Sequence, residues 1–397
     1  MTLPDSFRSL TSKLESIVLS EDKGHLDHPE DLVFLQGLTG ANQALSAIQS
    51  GIKSPQNFTI KWDGYPALIF GRGTNGKFSI MDKHMFNKED GTGRQIYSPK
   101  QFIKYDMDRG VERSGLHELI QEIWPGLDAE TKGAKGYYWG DLLFNKPLKD
   151  VKGDYTFKAN PNGITYKVST DSEIGKLFKN KVAGIAVHQY LDPDAPEKAA
   201  QMSTPSRKVF PTDLAKSLNG TLGALKNNTD VALVPSAMPN TPKLKINTKL
   251  LKDAQSTIRK YGNSADKFMK NAPQAASAFS QLFTTYINKK IVSGDLNNLY
   301  DDFITYFENK PMTASMRKKL TDYININKES LAGLFTIWIS LYNLKNDVVS
   351  QLHKAAESSP VQGYLQDGTP SQEGFVSQGV KFIDRLGFSR QNLAAKR

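Results

Sequence analysis

The stretch Ile60-Lys61-Trp62-Asp63-Gly64, followed after a short strand-like run by Arg72, concentrates residue types that could do chemistry. In an extended chain Lys61 and Asp63 fall on the same side, because strand side chains alternate with a period of two. Gly64 then lets the backbone turn close to a ligand. An amine beside a carboxylate and a glycine turn suits covalent catalysis by lysine, on phosphorus or on a carbonyl. The plainer alternative for Lys61 is an exposed strand lysine. The 397 residues include no cysteine, which excludes disulfides, thiolate zinc sites and cysteine nucleophiles, so catalysis must use lysine, carboxylates, hydroxyls or the six histidines.

The Lys61-Trp62-Asp63-Gly64 segment resembles the first motif, Lys-x-Asp-Gly, of the covalent nucleotidyltransferases, which comprise ATP-dependent DNA and RNA ligases and mRNA capping enzymes. The resemblance implies that Lys61 attacks the α-phosphate of a nucleoside triphosphate, forms a lysyl-nucleotide and passes the nucleotide to a nucleic-acid end. It assigns Asp63 and Gly64 to the ribose and the turn, and Arg72 to the neighbourhood of the acceptor phosphate. Tyr138-Trp139-Gly140-Asp141-Leu142-Leu143 resembles the third motif, with Asp141 standing where the family has Glu and so reaching less far toward ribose or metal. Ile164-Thr165-Tyr166-Lys167-Val168 resembles the next motif, whose aromatic ring stacks on the base; Tyr166 is the candidate, an ordinary strand aromatic the alternative.

The last two family motifs, Glu-Gly-x-Val and a lysine-bearing strand, have two placements. The run from Ala183 to Val187 with Lys243-Leu244-Lys245 lacks the acid. Glu373-Gly374-Phe375-Val376 with Val380-Lys381-Phe382-Ile383 keeps both the carboxylate and the first lysine, and is preferred. Ile383 occupies the usual place of a second lysine, with Arg385 nearby, and Phe388-Ser389 resembles the aromatic end of that motif in RNA ligases. Over the whole chain the closest resemblance is to tailed-phage ligase-like proteins bearing the KWDG motif.

From this resemblance follow ATP as nucleotide and Mg²⁺ as metal, held by Glu373 first and Asp141 second, and by the phosphates themselves. The nucleophile must be a free amine, so the ordinary lysine pKa of about 10.4 has to be lowered by burial or by a neighbouring charge such as Lys381. Only 16 residues follow Lys381, too few for an OB-fold, which favours an RNA ligase over a DNA ligase. The competing expectation is a catalytically degenerate ligase fold that serves a phage as a nucleic-acid-binding, virion-associated or assembly protein. Lys83, His84 and Lys88 could bind the acceptor phosphate or simply form a polar hairpin edge. His25 and His28, with Asp27, Glu30 and Asp31, have zinc-ligand chemistry, but Pro29 breaks any helical face they could share; a helix start with an acidic first turn is the simpler reading. His188 reads as a core or rim residue.

These residues need a frame. The spacing predicts an N-terminal helical cap over 1–50, a strand-rich nucleotidyltransferase core over 51–190, a loop-rich linker over 191–248, an all-helical domain over 249–357, and a return to the core sheet over 358–397. The fold class expected is α+β: an antiparallel-sheet, ligase-like core with a large all-α insertion. The cap includes Leu10 and Leu14, with a break at Gly37 and Gly40; Leu116 to Ile123 reads as a helix across a sheet face, and Leu331 to Leu344 as a buried helix. At the end, Gly374 to Ile383 reads as two short strands joined through Ser377, Gln378 and Gly379.

The net charge of +10 is concentrated late in the chain. Residues 241–397 hold 22 Lys and Arg against 13 Asp and Glu, whereas the first 240 are nearly balanced. A basic helical region favours a polyanionic partner, here RNA or nicked duplex, because cations that neutralise phosphates release counterions. No apolar run approaches the ~20 residues of a spanning helix and no secretory signal is visible, so the expected location is cytoplasmic, the host cytoplasm or the virion if phage-encoded.

Overall fold

The computed structural model describes residues 27–86, 96–160, 163–196, 215–216, 229–235, 238, 241–272, 276–365, 367–370 and 372–387. The expectations for Leu10, Leu14, His25, Lys88 and Phe388-Ser389, and most of those for the loop-rich 191–248, lie outside these residues. The described helices are α1 Leu32–Lys53, α2 Lys83–Phe86, α3 Pro99–Asp108, α4 Ser114–Glu130, α5 Glu173–Phe178, α6 Thr248–Asn271, α7 Ala276–Ser293, α8 Leu299–Glu308, α9 Ala314–Ile326 and α10 Lys328–Glu357. The strands are β1 Thr59–Lys61, β2 Ala67–Arg72, β3 Phe78–Asp82, β4 Gly136–Phe144, β5 Asp150–Val151, β6 Asp154–Lys158, β7 Thr165–Ser169, β8 Ala183–Leu191, β9 Ala215–Lys216, β10 Val231–Pro235, β11 Val361–Tyr364, β12 Gly374–Ser377 and β13 Val380–Phe382.

The fold is α+β with mainly antiparallel sheets, and the chain divides into two compact units. A strand-rich unit takes Trp62–Ser236 and Ser359–Gln372; a helical unit takes Leu26–Lys61, Ala237–Ser358 and Glu373–Arg397. This differs from the expected sequential arrangement. α1, expected to cap the strand-rich core, instead packs against α6 and α10 in the helical unit. The returning tail is split: β11 joins the strand-rich unit, while β12 and β13 belong to the helical one.

In the strand-rich unit, one sheet runs β10-β8-β4-β2-β3, with β9 on β8; every pair is antiparallel except β8 with β10. Its strands read as nearly unbroken apolar runs, such as Leu68, Ile69 and Phe70, all fully buried. Among their buried neighbours are Phe102 of α3 and Ile120, Ile123 and Leu127 of α4. Helix α3 starts where Ser98 caps it, its side chain accepting from the Gln101 N–H at 3.2 Å, with Pro99 in the first turn where a missing N–H costs nothing. A second antiparallel sheet runs β11-β7-β6-β5. Of its inward rings, Tyr155 meets Phe178, Phe157 meets Phe144 and Phe178, and Tyr166 packs against Phe157.

The helical unit is built around α10, whose Leu334, Phe335, Trp338 and Leu341 are buried among Phe34 of α1, Phe268 of α6 and Phe283 of α7. The break expected near Gly37 is present: its φ of 57° interrupts α1. The predicted terminal hairpin forms, with Ser377 closing its first strand instead of entering the turn, the second strand ending at Phe382, and Gln378 and Gly379 at φ 53° and 73°, the two left-handed positions of a type I′ turn. Its strands complete a three-stranded sheet in the order β1-β12-β13. One face of that sheet, Ile60, Phe375 and Phe382, is buried; Phe375 and Phe382 join the apolar core of the unit.

Within that core lies a fully enclosed charge network. Glu30 accepts from Lys345 Nζ at 3.2 Å and Arg385 Nη1 at 3.1 Å, and Asp31 accepts from the same Nη1 and from Trp338 Nε1, both at 2.8 Å. Lys345 also donates to the Ile383 carbonyl, so α10, the chain before α1 and the end of β13 are joined through polar groups. Removing one member of such a network leaves its partner charged, dry and uncompensated. Arg385→Met is therefore expected to cost about 3–5 kcal/mol, read as a lowered denaturant midpoint for the full chain.

Candidate functional site

The motif Lys61-Trp62-Asp63-Gly64 straddles the division of the chain, with Lys61 in the helical unit and Trp62, Asp63 and Gly64 in the strand-rich unit. In the helical unit, β1 pairs antiparallel with β12 so that Lys61 lies opposite Gly374, the residue after Glu373. The Lys61 ammonium is ion-paired and hydrogen-bonded to the Glu373 carboxylate. β12 then pairs with β13, setting Val376 opposite Lys381 and, on its other side, opposite Thr59. Thr59, Val376 and Lys381 thus share one row across the sheet, and Lys61, two residues on from Thr59, projects from the same face. The preferred placement of the last two motifs therefore brings the acid and the second amine to Lys61, from more than 300 residues away. Of the other placement, Lys243-Leu244-Lys245 lies on no strand, and Leu244 packs against the helical core.

Lys61 retains about a third of its side-chain exposure while Glu373 is almost buried. Burial and the adjacent Lys61 charge hold the Lys381 amine below the ordinary lysine range. Ile383, at the position of the resembled family's second lysine, is buried, and Arg385 is taken up by Glu30 and Asp31. His28 completes this side. It precedes the 3₁₀ turn Pro29–Asp31, in line with the expected helix start, although Glu30 and Asp31 are engaged in the enclosed ion pairs. The Asp27 carbonyl accepts from the Lys381 N–H at 3.0 Å, which brings His28 alongside β13. Burial and then the charges of Arg385, Lys381, Lys345 and Lys61 hold the His28 imidazole well below its usual pKa.

In the strand-rich unit, the Asp63 N–H donates to the Tyr166 hydroxyl at 2.6 Å, and the Asp63 carboxylate accepts from Asn160 Nδ2 and the Ile164 N–H, each at 3.2 Å. Gly64 is required by close approach: a Cβ there would fall 2.6 Å from Asp141 Cβ and 2.8 Å from the Leu142 carbonyl. Asp63, Gly64, Asp141 and Tyr166 are therefore neighbours. Asp141, on β4, lies 3.3 Å from His188 Nε2, which gives His188 a polar partner the sequence did not suggest.

Two expectations change. Tyr166 is fully buried against Trp62 and Phe157, with ring centroids at 4.8 and 5.6 Å, so it supports the Asp63 turn and offers no face to a base. Arg72 ion-pairs with Asp128 and donates to the Asp128, Thr131 and Gly76 carbonyls, so its guanidinium ties β2 to the end of α4 and is spent there. Of the pair Lys83 and His84, the His84 Nδ1 lies 3.2 Å from the Tyr105 hydroxyl.

A buried cluster the sequence reading missed also lies in this unit: Asp106 accepts from Arg109, Arg113 and His117, and Arg113 also reaches Asp82. Burial works against its charge, yet the Arg113 and His117 hydrogen bonds hold Asp106 below the usual carboxylate range. The run Asp106, Arg109, Arg113, His117, at helix-like intervals, was the available signal.

For Mg²⁺, Glu373 and Asp141 belong to different units, and among the described residues no group of three or more His, Asp or Glu is arranged to hold a metal ion. Residues 23–397 match the model of DUF6267, a family of unknown function. No curated protein matches the chain. No solved structure matches it either. Among the described residues no helix is long and apolar enough to cross a membrane.

The depressed pKa values of His28 and His353 set a pH dependence. Below the unfolded-state value of about 6.5 the unfolded chain binds protons that the folded chain refuses, so stability is full above that pH and falls as acid is added toward the folded values. Each histidine can contribute up to about 1.4 kcal/mol per pH unit in that window. Urea midpoints at pH 7.5 and 5.5 should show the loss, and His28→Gln should make it smaller.

Proposed function

The chain belongs to that family of unknown function, so its activity has to be argued from its own side chains, and we propose that it is a ligase-type nucleotidyltransferase forming a covalent lysyl-nucleotide at Lys61. The observation that carries the reading is the register of β1-β12-β13, which sets Lys61 against Glu373 and projects Lys381 from the same face. Chance placement of a lysine on a strand edge would not require an acid and a second, desolvated amine from the far end of the chain.

The chemistry follows from those groups. Glu373, hydrogen-bonded to the Lys61 amine, is placed to take its proton. The free amine attacks the α-phosphorus of ATP, the nitrogen–phosphorus bond forms, and the bond from that phosphorus to the bridging oxygen breaks, sending its electron pair out with diphosphate. Lys381 is the cation for the phosphate oxygens. A 5′-phosphate oxygen of the acceptor then attacks the same phosphorus, breaking the bond to Lys61 and regenerating the amine. Mg²⁺ carried on the phosphates would supply further neutralisation of their charge.

For the acceptor, α6 offers a stripe of exposed cations. Lys249, Lys252, Arg259, Lys260, Lys267 and Lys270 recur mostly at three- and seven-residue intervals opposite the buried Ala254, Ile258 and Ala265. A phosphate backbone, RNA by preference, fits that stripe. A second reading, a ligase fold retained only for nucleic-acid binding in a phage particle or its assembly, is favoured by the buried Tyr166 and the spent Arg72.

Incubation with α-labelled ATP or GTP and Mg²⁺ separates the two. The enzyme reading expects an acid-labile adduct on the wild-type protein, abolished in Lys61→Ala and slowed roughly a hundredfold or more in Glu373→Gln. Salt-dependent RNA binding without any adduct would leave the binding reading in its place.

A further inference from the structure

His28 is not part of any motif that led to Lys61, yet its Nδ1 is buried with no hydrogen-bond partner among the described residues. A buried polar atom in that state carries a desolvation cost that native structures seldom leave unanswered. Lys381 beside it presents a complementary problem. It is partly buried, yet among the described residues its amine makes no hydrogen bond or ion pair; only its backbone N–H is engaged, by Asp27.

The surrounding charges do not answer either group. Lys61 is satisfied by Glu373, and Lys345 and Arg385 are satisfied by Glu30 and Asp31. Asp27, the remaining acid that acts on Lys381, is exposed to solvent, which screens it. What remains unmet is a donor or acceptor nitrogen and an ammonium in one cation-rich corner, a combination that calls for an oxyanion. A neutral imidazole can donate Nδ1–H to a phosphate oxygen while Lys381 supplies the charge.

We propose that His28 and Lys381 together seat the diphosphate portion of the nucleotide, with His28 a binding residue for the group that leaves when Lys61 is modified. The assignment rests on the nucleotidyltransferase reading for its place in the reaction, but the seat itself is a diphosphate-binding site that can be examined without any turnover. In the reaction the diphosphate arrives as part of the nucleotide and departs once its bond to the α-phosphorus has broken; His28 itself makes and breaks no covalent bond.

The probe is inorganic diphosphate added to the full-length protein without nucleotide, with binding read by calorimetry and with the histidine ring nitrogens followed by NMR. Wild-type protein should bind it, and the His28 ring signals, assigned by their loss in His28→Gln, should move on addition. His28→Ala should weaken binding about tenfold, as expected for one hydrogen bond to a charged group, and Lys381→Met by at least as much. If His28→Ala fails to fold, the ring signals of the unmutated protein still decide. No diphosphate binding, or binding that leaves the His28 signals in place and is unchanged in His28→Ala, overturns the proposal. Label on Lys61 with that result would leave the enzyme reading standing and remove only the seat. Diphosphate binding that moves His28, in a protein that never forms an adduct, would keep the seat and remove the enzyme.

Discussion

The antiparallel pairing of β1 with β12 is the constraint from which the rest of the candidate chemistry follows. Three residues on each strand are matched, and a slip of one residue would turn Lys61 toward the apolar core and bring Ile60 out to the polar face. The pattern of the strands opposes that slip, since Ile60, Phe375 and Phe382 fit only on the buried side. Register is thus held by hydrophobic burial on one face, and the polar face inherits its alignment. Such short strands have few backbone hydrogen bonds of their own, so their position depends heavily on what packs behind them.

What packs behind is the helical unit, and its enclosed ion pairs add specificity to the hydrophobic packing. Arg385 sits just past β13, and its link to Glu30 and Asp31 holds the end of that strand to the chain that enters α1. Lys345 on α10 grips the Ile383 carbonyl from the other side. An apolar replacement of the whole network could be as stable, but it would not fix β13 by directional bonds. Under the proposed role of Lys381 toward a phosphate oxygen, a few tenths of an ångström at its amine matter, so a costly polar anchor next to it has a use that a greasy one lacks.

Sequence and structure agree where local chemistry dominates. The hairpin turn at Gln378 and Gly379, the break at Gly37 and the long buried helix around Trp338 each depend on a few adjacent residues or on one clear periodicity. The pairing of Lys61 with Glu373 was legible for a different reason, since two short motifs had a chemical cause to meet. Tyr166 and Arg72 were misread because their environment is long-range. The alternation of β7, with Tyr166 and Val168 buried between the half-buried Thr165, Lys167 and Ser169, marks an inward ring but does not say that Trp62 will cover it, and the acid that consumes Arg72 stands 56 residues further on. The two-unit division was hidden for the same reason: Pro360 and Leu365 frame β11, yet nothing in VQGY says which sheet it will join.

His28 shows how the two levels of reading combine. In the sequence it is one of two histidines near a proline, and neither spacing nor composition makes it a ligand. Its meaning comes from counting partners after folding: four basic side chains act on it, three of these have carboxylates of their own, and Lys381 shares its lack of one. Neutral imidazole is the form such an environment selects, because burial disfavours the charged ring and a further positive charge would be repelled by all four. A neutral donor beside an uncompensated amine discriminates among anions by geometry as well as charge, since the imidazole must find an oxygen along its N–H direction while the ammonium tolerates many. Two phosphoryl groups joined by one oxygen can meet both demands at once, whereas a chloride ion can meet only the charge.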